Sequence, residues 1–155
     1  MKHLQLIILS LFISSFSFAQ IKKIDVPKSE LIGRIAPGGS ITVSMQCYKS
    51  ENDQYLFRYA DAKFSKLDVW KDFTLKSTED FETLYNYLKD GFEEMPKEKV
   101  VLDIGGQYLL LDFGKFLGGK VVRIIHSTSA DTDRAIVGYT NQYTLKQIDK
   151  LFGKK

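Results

Sequence analysis

One cysteine, Cys47, is all that this chain of 155 residues contains, so no disulfide can close within it and its stability must come from packing. Cys47 alternates with Ile41, Val43 and Met45, a spacing that predicts an inert thiol facing a core. An excess of one charge is also lacking: 22 basic residues stand against 19 acidic ones, a net of +3. That balance is too mild to point to nucleic acid or to an anionic membrane surface. His126 is the one histidine beyond the first twenty residues. Beyond the N-terminus no segment is apolar enough to cross a membrane.

The N-terminus is the exception. MKHLQLIILSLFISSFSFAQ opens with Lys2 and His3, runs apolar from Leu4 to Ile13, and reaches Ser17-Phe18-Ala19 before Gln20. This is the layout of a secretory signal peptide over residues 1–19, cleaved between Ala19 and Gln20. The apolar run is shorter than the roughly 20 residues that span a bilayer, and no cysteine follows the cleavage site to take a lipid. The expected location is therefore periplasmic or extracellular. Residues 20–29, polar and carrying Pro27, read as a flexible linker, and residues 30–155 as a single compact domain.

Along that domain the hydrophobic period alternates between two values. LIGRIA (31–36) reads as a short strand, and ITVSMQCYK (41–49) alternates strictly, as a half-buried strand does. SENDQ (50–54) is a turn, QYLFRYAD a second strand of the hairpin, and LDVWKDFTLK (67–76) a further extended run. Phe81, Leu84, Tyr85 and Leu88 then share one helical stripe. Ser77 and Asp80 have capping-box spacing at its start, and Gly91 is placed to stop it. After the linker around Pro96 come KVVLDI (99–104), the glycine pair 105–106, and YLLLDF (108–113). Gly118 and Gly119, KVVRIIHS (120–127), the polar loop TSADTD and RAIVGYT (134–140) follow. Asn141 or Thr144 can cap a last helix whose stripe is Leu145, Ile148, Leu151 and Phe152.

Set side by side, residues 30–95 and 98–155 repeat one plan: a strand, a glycine pair, three more strands and an amphipathic helix. The glycine pairs lie 67 residues apart (38 to 105) and the candidate caps 64 apart (77 to 141). The expected fold is α+β, two ββββα halves with antiparallel sheets each crossed by an amphipathic helix. In element order this resembles the PUR repeat and the whirly-like folds, in which two such units pack together. The resemblance rests on no residue motif, so it transfers no binding residue. It implies a sheet of the kind that holds single-stranded nucleic acid on basic and aromatic side chains, an implication that the leader and the balanced charge oppose.

Motifs for chemistry are sparse. A phosphate loop runs from a strand into a helix N-terminus, whereas Gly105-Gly106 leads into another strand, so the glycines read as hairpin turns. HSTSADTD (126–133) gathers His126 with two serines and two aspartates, yet neighbours at one strand end cannot converge as a triad. Asp131 and Asp133 lack the glycine and terminal glutamate of a calcium loop. Asp103 should pair near Tyr108 across the hairpin, which separates it from Asp112. Neither a catalytic residue, a cofactor nor a metal is therefore assigned.

Tyr108 and Leu110 oppose Leu109 and Leu111, and Val121 and Ile125 oppose Val122 and Ile124, so these strands are apolar on both faces and should be covered on both. Packing of the two halves can supply that cover. A face left bare would be an interaction surface for a protein or envelope component, or for a homodimer. Its candidate residues are Tyr108 and Leu110, with Arg123 and His126 at the polar edge. The expected function is an exported, non-catalytic binding or envelope-associated module, with a secreted hydrolase or a nucleic-acid-binding domain as the alternatives.

Overall fold

The computed structural model describes residues 28–36, 42–130 and 135–154. The expected leader with its cleavage site, the expected linker through Pro27, Gly38, Gly39, Ile41, Asp131 and Asp133 lie outside these residues. The first half comprises β1 (Ser29–Ile35), β2 (Met45–Ser50), β3 (Tyr55–Ala60), β4 (Trp70–Leu75) and α1 (Thr78–Glu94). The second comprises β5 (Val100–Asp103), β6 (Tyr108–Phe116), β7 (Gly119–Ser127), β8 (Ile136–Tyr143) and α2 (Leu145–Leu151). Each set of four strands forms an antiparallel meander in chain order, so the α+β fold of two ββββα halves is the one observed. Among the described residues no helix is long and apolar enough to cross a membrane.

Local chemistry fixes the turns. Gly105 and Gly106 both take positive φ, +88° and +94°, the requirement of a tight hairpin turn whose twist matches its strands. The Asp103 carboxylate accepts both their N–H groups, at 2.8 and 3.1 Å. At the next hairpin the left-handed positions fall on Leu117 and Gly118, with φ of 47° and 82°, and Gly119 already belongs to β7. The turn therefore sits one residue earlier than the glycine pair suggests.

Helix α1 begins as its sequence predicts, with the Ser77 hydroxyl accepting from Asp80 N–H at 3.0 Å. It does not stop at Gly91. It runs on to Glu94 and ends at Met95 in the left-handed conformation, φ 50°. Gly91 serves packing instead, since a Cβ there would overlap the Phe113 ring of β6. Helix α2 is capped by Thr144, with Gln147 completing the capping box, and Asn141 lies inside β8. Thr144 follows Ser77 by 67 residues, the same interval that separates the two glycine pairs.

The two helices are shared between the halves. The first part of α1 rests on its own sheet, where Phe81 stacks on Tyr55 at 4.1 Å. Its last turns rest on the second sheet, where Phe92 meets Phe113 edge-on at 5.6 Å. Helix α2 packs on the first sheet: Gly33 of β1 approaches the Lys150 and Leu151 carbonyls so closely that a Cβ has no room. Phe152, just past α2, packs on Phe57 at 5.4 Å. One core cluster consequently joins Met45, Phe57 and Phe73 of the first sheet to Leu109, Leu111, Val122 and Ile124 of the second. Each such side chain contributes about 1.5–3 kcal/mol by leaving water.

Candidate functional site

Where the sheets meet, a line of polar groups crosses the core. His126, 2% exposed, projects from β7 toward the first sheet, and its Nδ1 lies 3.2 Å from the Tyr59 hydroxyl. Its Nε2 lies 3.2 Å from Gln107 Oε1. Because Gln107 Oε1 can only accept, Nε2 carries the proton and Nδ1 accepts from the Tyr59 O–H. Burial lowers the His126 pKa, and the Asp72 and Lys71 charges work on it in opposite senses. Burial likewise pushes the Tyr59 phenol up. The ring is thus a neutral, doubly bonded strut.

Asp61 stands beside this strut. Its Oδ2 is 2.8 Å from Lys71 Nζ, and its Oδ1 accepts from Lys63 N–H at 3.1 Å and from Tyr139 N–H at 3.3 Å. Lys71 also donates to the Val137 carbonyl. Burial alone would raise the carboxyl's pKa, but Lys71 and the two backbone donors outweigh it and hold the group below its ordinary value. Both contacts reach the main chain of β8, so Asp61 and Lys71 close the outer edge of the second sheet against the first half.

The four residues singled out from the sequence do not come together. Tyr108, Leu110 and Arg123 share the outer face of the second sheet, whereas His126 points inward from the opposite face of β7. A one-residue step along a strand reverses the side chain, which separates Arg123 from His126 by parity. Leu110 is 0% exposed, and Val121 and Ile125 on the same face are buried as well, although none of the three belongs to the main core cluster. Arg123 lies opposite Asp112, and its buried Nε has no hydrogen-bond partner among the described residues. Asp103 lies opposite Tyr108, as the hairpin count requires. Cys47 is buried, and burial pushes its thiol up to about 12.

A concave surface lies elsewhere. A cleft of ≈ 510 Å³ opens between α1 and β5, within the roughly 300–1,000 Å³ typical of ligand sites. Leu75, Leu84, Leu102 and Ile104 supply its apolar lining, while Lys76, Asp80, Thr83 and Asp103 are its polar groups. Tyr87 on α1 and Val101 on β5 also line it, 47% and 44% exposed. The Lys76 ammonium lies beside Gly105, and the Asp103 carboxyl is held below its ordinary pKa by the Gly106 and Gly105 N–H groups and by Lys76.

No family model, curated protein or solved structure matches the chain. The likeness to PUR and whirly-like folds therefore stays one of element order. Among the described residues no three histidine, cysteine or acidic side chains gather as a metal site. The sequence singles out Asp103 only as a possible partner of Asp112, and the cleft itself is not visible there because its residues come from three elements of both halves. Their one sequence signal is Val101, apolar on the outward side of a short strand.

Proposed function

We propose that the chain is an exported, non-catalytic binding module that holds its ligand in the cleft between α1 and β5. The observation that carries this reading is the cleft itself, an apolar trough with a lysine and two aspartates at hand and two large side chains, Tyr87 and Val101, left in water beside it. His126 supports the non-catalytic part: among the described residues its two ring nitrogens are engaged by Tyr59 and Gln107 and by no carboxylate. Export rests on the layout of residues 1–19.

Both parts are testable in the native cells. A tagged chain should be recovered outside the cytoplasm with a mass that begins at Gln20; recovery in the cytoplasm with residues 1–19 attached would overturn export. A photo-reactive side chain placed at Tyr87 should cross-link a partner molecule, and one at the exposed Gln142 should not. Equal labelling at both positions, or none at either, removes the cleft as the binding site.

A further inference from the structure

We infer that the cleft receives an extended peptide of another protein, which adds as a strand to the free edge of β5. The inference rests on the binding-module reading and names the class of ligand.

The two edges of the second sheet differ. The outer edge, β8, is closed: Tyr139 N–H is taken by Asp61, and the Val137 carbonyl by Lys71. The other edge is β5, four residues long against nine in β6, and its side away from β6, which pairs with no other described strand, opens on the cleft. The hydrogen bond from Ile104 N–H to the Gln107 carbonyl, 2.8 Å, fixes the phase of the ladder. Pairs 104/107, 102/109 and 100/111 are then the bonded ones, since bonded and non-bonded pairs alternate in an antiparallel ladder. The N–H and C=O groups of Val101 and Asp103 therefore point away from β6, two residues apart on one edge. That is the spacing at which an added strand makes its paired hydrogen bonds.

Side chains agree with the backbone. An added strand extends the sheet, so alternate residues would face the interior beside Leu102, Leu84 and Leu75, and the others would lie beside Val101 and Asp103 on the outer side. Natural sheets protect free edges with proline, lysine or a bulge. Residues 100–103, Val-Val-Leu-Asp, have none of the three, so this edge is guarded only by its shortness, the Asp103 charge and the α1 wall. The occupant is a single extended segment, because α1 walls the edge on one side and leaves a trough rather than an open ledge.

The test uses the mature chain and a fluorescent peptide, Thr-Val-Thr-Val-Thr-Val, with two further copies N-methylated at either the threonine or the valine amides. The wild type should bind the parent peptide and one methylated copy, and lose the other, because strand addition uses one set of amides. V101P removes an N–H that β6 does not use and should weaken binding by about tenfold or more. T83R, on the exposed helix wall, should weaken it similarly without touching β5. Thermal melts verify that each variant is folded. No binding by the wild type, unchanged binding by the folded variants, or equal binding of both methylated copies would overturn the inference. So would a wild-type dimer that V101P converts to monomer, which would assign the edge to a second copy. If Tyr87 cross-links a lipid or small molecule instead of a peptide, strand addition fails while the binding-module reading stands.

Discussion

His126 Nδ1 stands 3.2 Å from the Tyr59 hydroxyl, and this bond ties the second sheet to the first across the middle of the core. Replacing His126 with alanine leaves the phenol and Gln107 without their partner. The expected loss is about 2 kcal/mol of stability, read as a lower urea midpoint with an unchanged slope.

The same residue makes stability depend on pH. Its pKa is lowered in the folded protein, so below the ordinary histidine value the unfolded chain binds more protons than the folded one. Stability should be full above about pH 6.5, fall as pH drops toward the folded-state pKa, and level off below it. Urea titrations from pH 8 to pH 5 measure this. The slope in that window should vanish in H126Q.

Asp61 carries a second window at lower pH. Its pKa is depressed, so its contribution is present above about pH 4 and lost as pH falls through the folded value. D61N keeps the shape but removes the charge opposite Lys71. The substitution should destabilise by about 3 kcal/mol, toward the low end for a broken buried pair because Lys71 retains some access to water. It should also speed hydrogen exchange at Tyr139 N–H.

Gly91→Ala gives a prediction whose sign decides between two explanations. In an exposed helix interior the change would stabilise by roughly 1 kcal/mol. Here the added methyl meets the Phe113 ring, and overpacking should instead cost about 1–3 kcal/mol. A double-mutant cycle with F113L, measured by thermal melts, should recover most of that loss.

Cys47 should resist thiol reagents in the native protein. Its burial and a pKa pushed up to about 12 leave almost no exposed thiolate at neutral pH. Labelling with a chromogenic disulfide should follow the rate of opening, and addition of urea should make it complete within mixing. Rapid labelling of the folded chain would contradict the packing.

Much of this fold can be read from local pattern. The alternation around Met45 and Cys47 specifies which side of β2 faces inward, and Ser77 marks the start of α1 because capping is a contact between near neighbours. Long-range packing is hidden from such reading. Gly91 looks like a stop until the Phe113 ring arrives beside it from another strand. Asn141 competes with Thr144 as a cap until β8 extends past it. The stripe from Leu145 to Phe152 says that a helix buries one face, but only the close approach at Gly33 shows which sheet it covers. The cleft is less legible still, since α1 and β5 meet across the junction of the halves. Arg123 and His126 differ in face by simple parity, which the sequence does contain.

The placement of α2 on the first sheet also governs when the chain can fold. Residues 29–75 build a sheet whose apolar side is not finished until Leu151 and Phe152, near the other end of the chain, come down on it. During synthesis the N-terminal sheet is therefore only partly covered, by the first turns of α1, until α2 has formed, and closing contacts so distant in sequence slow its assembly.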